Sequence, residues 1–192
     1  MLKSIHQPRR IFIESGREQD IEMMSEMSRE DLIELVFLHM RNLYAVDGLY
    51  FLGIEERYGT SIATEIDAYV WRRMGTIEAR RLKKRLNLQG NDVKSLMKAL
   101  RLTSWALDIE DKEVEVLENR GLIRNTNCRV QTTRARKGLE EFPCKEVRMG
   151  FMESFAKEFN PDIEVKCIVC PPDEHPEGLW CEWEFSNEGS DD

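Results

Sequence analysis

At Ser104 the spacing of apolar residues changes from helical to twofold, and no other feature restricts the possible folds as strongly. Before it, Leu32, Leu35, Val36, His39, Met40 and Leu43 recur at helical steps. Ser28 and Asp31 precede and open that run as an N-cap hydroxyl and a first-turn carboxylate. Asp47-Gly48 reads as its end. Leu49, Leu52 and Glu56 carry a second helical piece to Gly59, and Ile62, Ile66, Tyr69 and Val70 stripe a third as far as Met74-Gly75. Thr76 opens a fourth, Ile77 to Leu88, and Asn91 a fifth through Leu96, Met97 and Leu100. Connections this short imply antiparallel helical packing.

After the switch, Ala106 to Ile109, Val114 with Val116, and Leu122 with Ile123 read as a strand meander turning at Asn119-Arg120-Gly121. Gln131 to Glu141 is helical in composition and ends before Pro143. Val147 to Phe159 forms another helix, stopped by Asn160-Pro161, and Ile163 to Val169 and Leu179 to Phe185 are two closing strands. The expected fold is α+β, a helical N-terminal half packed with an antiparallel sheet of about five strands. The expected divisions are an arm over 1–26, a helical region over 27–103, an α+β ligand-binding-like region over 104–186 and an acidic tail over 187–192, with 27–186 as one compact unit.

The sharpest chemical signal lies in the second half. Cys144, Cys167-Ile168-Val169-Cys170 and Cys181 are four of the five cysteines, two of them a C-x-x-C pair, and soft thiolates at such spacing suit a tetrahedral zinc ion. Along a strand Cys167 and Cys170 point to opposite faces, so both reach one ion only if the strand ends between them, and Pro171-Pro172 supplies such an ending. Two other readings stand beside this one. Each cysteine can be a small buried hydrophobe, the simplest account of Cys128, or the pair can be a redox dithiol, though it does not open a helix. A closed tetrathiolate holds structure together and leaves no position for an activated water.

A formal charge of −8 gives no overall attraction to phosphate backbones, so a nucleic-acid partner is disfavoured. No segment approaches the roughly 18 apolar residues of a membrane span, and no signal-peptide core is evident at the N-terminus. The expected location is the cytosol, where cysteines stay reduced and a C-x-x-C pair is explained by metal or redox chemistry rather than by a structural disulfide.

Gly150-Phe151-Met152-Glu153 in a helix, Ile163-Glu164-Val165 with Cys170, and Gly178 followed by Cys181-Glu182-Trp183-Glu184-Phe185 together resemble the C-terminal signature of the 4-vinyl-reductase domain superfamily. That group includes small-molecule sensor domains of bacterial regulators and is related in fold to transport-particle subunits of the Golgi. Its zinc-bearing sensors use a cysteine, an acidic residue and a cysteine at x-x spacing, and a last cysteine. Cys144, Cys170 and Cys181 match the thiols, and Cys167 stands where the carboxylate would be. The stretch from Cys128 through Gly138-Leu139 and Cys144 to Cys181 is also similar to 2-amino-thiazoline-4-carboxylate hydrolase-like proteins, with Val147 where those carry an acidic residue.

The first resemblance implies a pocket between sheet and helices. His39, Tyr44, Trp71, Trp105, Cys128 and Arg129 are the residues available to line it. Asp47, Glu55, Glu56, Glu65 and Asp67 crowd two helices and read as a solvated acidic face. The basic run from Arg72 to Arg85 is interrupted by Ile77, Ala79 and Leu82, as on the outer face of a packed helix.

Two functions follow as expectations. The first is a cytosolic domain that binds a small organic molecule, with structural zinc on Cys144, Cys167, Cys170 and Cys181 and with output through a partner or a homodimer. The second is a thiazoline-carboxylate-type hydrolase with Cys128 as nucleophile and Gln131 or Arg129 orienting substrate. A nucleic-acid contact through the Arg72 to Arg85 helix is a third possibility, with salt-dependent binding as its mark.

Overall fold

The computed structural model describes residues 17–187, so positions 1–16 of the expected arm and 188–192 of the acidic tail lie outside the described residues. The chain divides into two compact units, one ending at His39 and the other beginning at Met40. The expected single unit over 27–186 therefore has a boundary inside it.

In the first unit, Glu18–Glu26 forms helix α1, a stretch expected to belong to an irregular arm. Helix α2, Arg29–Tyr58, begins in this unit. Its start follows the sequence: the Ser28 hydroxyl accepts a hydrogen bond from the Asp31 amide at 3.0 Å and donates to the Asp31 carboxylate at 2.7 Å. His39 is exposed here.

The second unit contains the rest of α2, then α3 (Thr60–Leu86), α4 (Val93–Leu100), α5 (Ser104–Asp108), β1 (Lys112–Val116) and β2 (Arg120–Asn125). Helices α6 (Arg129–Arg136) and α7 (Cys144–Lys157) and strands β3 (Glu164–Val169) and β4 (Cys181–Ser186) complete it. The break expected at Asp47-Gly48 does not occur, because one interior glycine costs a helix only about 1 kcal/mol and the Asp47 carboxylate accepts a hydrogen bond from the Trp71 indole N–H at 3.2 Å. The break at Gly75 is likewise absent. There α3 crosses α7 so closely that a Cβ would lie 2.5 Å from the Phe151 carbonyl oxygen and 2.3 Å from Ser154 Oγ. Gly59, at φ 86°, does separate α2 from α3.

The sheet has four antiparallel strands in the order β1-β2-β4-β3, one fewer than expected. Ala106 to Asp108 lies in α5 instead, a helix started by the Thr103 hydroxyl, which accepts from the Ala106 amide at 3.2 Å. Ile123, Trp183 and Phe185 are fully buried on one face of the sheet. Phe151, Met152 and Phe155 of α7 and Leu96, Met97 and Leu100 of α4 share that core. Burying several aromatic and aliphatic side chains at about 1.5–3 kcal/mol each is what fixes α7 against the sheet. Its first turn is thereby placed beside the end of β3.

Candidate functional site

Cys167 pairs with Trp183 across β3 and β4, so it faces the core, and strict alternation would turn Cys170 outward. The register shifts between Cys167 and Val169, so that Val169 rather than Ile168 is opposite Glu182. One extra residue resets the alternation, and Cys170 is fully buried. The Lys145 amide then donates to the Pro171 carbonyl at 2.8 Å, which ties the first turn of α7, and Cys144 with it, to the end of β3.

Cys170 becomes the hub of the four thiols, hydrogen-bonded with Cys144, Cys167 and Cys181. These bonds push the Cys170 thiol up. The bond with Cys170 is also what chiefly lowers its neighbours: Cys144 comes down to about 7, helped by the Arg148 guanidinium, and Cys167 falls as well, helped by Lys145. All five cysteines are free thiols. Thiols are the donor type that a structural zinc ion takes. The arrangement is one of hydrogen-bonded thiols, and among the described residues no group of three or more His, Cys, Asp or Glu is placed to hold a metal ion.

Beside this cluster lies a cavity of about 360 Å³. Tyr44, Asp47, Phe51 and Leu52 of α2 form one wall, Trp105 and Asp108 of α5 another, and Cys128 to Arg134 at the start of α6 a third. Phe142, Cys144, Arg148 and Cys181 close it toward the thiols. The walls are mainly apolar and aromatic with a few polar groups, as in small-molecule sites of this size. Tyr44 stacks on Trp71 at 5.5 Å between ring centroids, and Phe51 meets Phe142 edge-on at 4.8 Å.

Two of the lining arginines are neutralised. Arg134 makes a fork to Glu55, at 3.0 Å and 2.9 Å, and its Nε donates to the Glu140 carbonyl at 2.6 Å. Arg129 Nη2 lies 2.9 Å from both Asp108 oxygens. Arg148, only 5% exposed, has no such partner. Its guanidinium sits 4.9 Å from the centroid of the Trp71 ring, 5.4 Å from that of Trp105 and 5.3 Å from that of Phe151. Five buried side-chain polar atoms among the described residues lack a hydrogen-bond partner, and four of them, Tyr44 Oη, Asp67 Oδ2 and Arg148 Nε and Nη1, belong to residues lining this cavity. Asp47 and Asp67 are not a solvated face as expected. They adjoin one another at the cavity, and burial, with Asp47 beside it, pushes the Asp67 carboxyl up to about 7.

Of the residues singled out in the sequence, Tyr44, Trp105, Cys128 and Arg129 line the cavity, Trp71 stands behind Tyr44, and His39 lies in the first unit. Cys128 precedes α6, a position that ordinarily lowers a thiol, yet burial dominates and pushes it up to about 12. In the basic run, Arg80 pairs with Glu158 at 2.8 Å and Lys83 donates to the Glu158 carbonyl at 2.9 Å, so both are engaged within the fold. Sequence reasoning missed Arg148. Its signal was available, since Arg148 follows Cys144 by four positions and precedes Phe151 by three, which puts a cation on the buried face of α7.

The chain belongs to a family of unknown function, DUF6125, whose match covers residues 25–187. Curated proteins yield no match. Among solved structures the chain is similar to a trafficking protein particle complex subunit 3 from Naegleria fowleri, covalently bound to palmitic acid, with 8% identity, a TM-score of 0.46, and coverage of 84% of this chain and 98% of that one. Among the described residues no helix is long and apolar enough to cross a membrane.

Proposed function

We propose that this DUF6125 member binds a small organic molecule in the cavity framed by α2, α5, α6 and α7, and that a structural zinc ion on Cys144, Cys167, Cys170 and Cys181 braces the wall beside it. The observation that carries the binding reading is the coincidence of an apolar cavity of about 360 Å³ with most of the buried, unpartnered polar atoms. Such atoms cost about 1–3 kcal/mol each when left unmade, and a bound molecule that supplies their partners recovers that cost. The resemblance to sensor domains of the 4-vinyl-reductase superfamily points the same way.

The zinc part is supported by Cys170 interacting with each of the other three thiols, which come from the start of α7, from β3 and from β4. Zinc would supply cross-linking there and no chemistry, since four sulfurs leave it no open position. Five unpaired thiols also agree with a reducing compartment such as the cytosol. The hydrolase reading is less favoured, because it needs a Cys128 thiolate and burial holds that thiol at about 12. Exposed Tyr50, Tyr58, Ile62, Ile66, Tyr69 and Val70 on α2 and α3 support a homodimer through these helices, to be checked by light scattering of the eluted peak.

The uncharged dye N-phenyl-1-naphthylamine tests the binding reading. The wild-type chain should bind it saturably with enhanced fluorescence, and Cys128→Trp, which fills the cavity, should weaken binding at least about tenfold. Equal binding by both proteins would overturn the reading. Elemental analysis of the purified chain should give one zinc per polypeptide, lost in Cys170→Ser. A zinc-free, stably folded chain from zinc-replete medium would remove zinc and leave the cavity reading standing.

A further inference from the structure

We infer that the molecule taken up by this cavity is an organic anion, of the carboxylate class, with an apolar body and its charged end docked on Arg148. The inference rests on the cavity reading and specifies its ligand chemistry. A guanidinium stays protonated when buried, and an isolated buried charge is among the costliest groups a fold can hold. Proteins meet that cost with a carboxylate, as this chain does at Arg134 with Glu55. Arg148 is the exception among the arginines lining the cavity.

One contact of Arg148 goes to the Cys144 thiol, while Nε and Nη1 find nothing. Asp47 and Asp67 attract it without reaching ion-pair distance, and Asp47 is engaged by the Trp71 indole and by Asp67. The rings of Trp71, Trp105 and Phe151 surround the guanidinium, so its position is set by packing before any ligand arrives. What remains is a cation fixed in the wall of an apolar chamber, with two N–H groups that no protein acceptor meets, a receptor for a planar acceptor pair such as a carboxylate. Trp105, Phe51 and Phe142 line the rest of that chamber and suit a hydrocarbon or aromatic body.

The test compares 8-anilinonaphthalene-1-sulfonate with N-phenyl-1-naphthylamine, which shares its aromatic skeleton and lacks the sulfonate. Wild type should bind the anionic dye about tenfold or more tightly than the neutral one, the range expected for a charge-assisted hydrogen bond. In Arg148→Met, with its fold checked by near-ultraviolet circular dichroism, that ratio should fall to about one. In competition, 3-phenylpropanoate should displace the anionic dye and 3-phenylpropanamide should not. Equal affinity for the two dyes in wild type, or an unchanged ratio in folded Arg148→Met, overturns the inference while leaving the cavity reading intact. If Arg148→Met does not fold, the wild-type dye ratio and the acid-against-amide competition decide. If neither dye binds, the cavity reading falls and this inference with it.

Discussion

Two glycines inside long helices should respond with opposite sign to the same substitution. A Cβ at Gly48 meets nothing within 4 Å, so Gly48→Ala should gain only the helix-propensity difference, up to about 1 kcal/mol. At Gly75 the same methyl lies 2.5 Å from the Phe151 carbonyl oxygen and 2.3 Å from Ser154 Oγ. Carbon–oxygen contacts relax near about 3.3 Å, so α7 would have to retreat by roughly 0.8 Å. Ser154 can rotate, but the Phe151 carbonyl belongs to the backbone of a helix whose Phe151, Phe155 and Ala156 are buried in the core. Overpacking of that kind costs about 1–3 kcal/mol, and the upper end applies because a whole helix must shift. After the propensity gain, Gly75→Ala should be less stable than wild type by about 1–2 kcal/mol. At about 2–4 °C per kcal/mol for a chain of this size, the two variants should differ in Tm by about 4–12 °C. Urea and thermal unfolding followed by circular dichroism measure the difference. A Gly75→Ala protein as stable as Gly48→Ala would refute the close crossing of α3 and α7.

Glu55→Gln should destabilise by roughly 3 kcal/mol in urea unfolding, because it leaves the Arg134 guanidinium buried against Phe51 without a counter-charge and with one acceptor of its fork replaced by an amide donor. The hydrogen bond from Arg134 holds the Glu55 carboxyl below its ordinary value, so its contribution is present above the unfolded-state pKa and is lost as pH falls through the lower folded value, a loss missing from Glu55→Gln. Asp67 has the opposite sign. With its folded pKa raised from 3.8 to about 7 by burial and by Asp47, it favours the folded state below pH 4 and loses that advantage as pH rises to about 7. Asp67→Asn should accordingly raise Tm at pH 8 more than at pH 4, and an equal effect at both would refute the assignment. Mass mapping after iodoacetamide treatment of the native chain at pH 8 should find Cys128 unmodified, as expected for a thiol pushed up to about 12, and its rapid modification would revive the hydrolase reading.

The helical half and the antiparallel sheet were legible because their signals are local. The Ser28 cap lies where its spacing to Asp31 implies, and Gly59 ends α2. Gly48 and Gly75 were misread because glycine marks both a stop and a close approach, and only the Phe151 carbonyl opposite Gly75 tells the two apart. Ala106-Leu107-Asp108-Ile109 alternates like a strand, but the Thr103 hydroxyl bonding the Ala106 amide closes a helical turn first. At the thiols, the sequence pattern implied a strand ending between Cys167 and Cys170. The bulge at Ile168 achieves the same inward turn by adding a residue, and nothing in a single sequence marks a bulge in advance. Arg148 was overlooked because a charged residue on an amphipathic helix is ordinarily assigned to the solvent side, as Lys145, Glu146, Glu153 and Lys157 of α7 are. Its lack of an acidic partner emerges only once every neighbouring side chain has its place.

The claim that the cavity is the ligand site is tested most directly by nuclear magnetic resonance of the nitrogen-labelled chain titrated with N-phenyl-1-naphthylamine. The account predicts that the largest shifts fall on the Trp105 indole N–H and on the backbone amides from Cys128 to Gln131. Shifts centred instead on Ile62, Ile66, Tyr69 and Val70, with Trp105 unmoved, would contradict it.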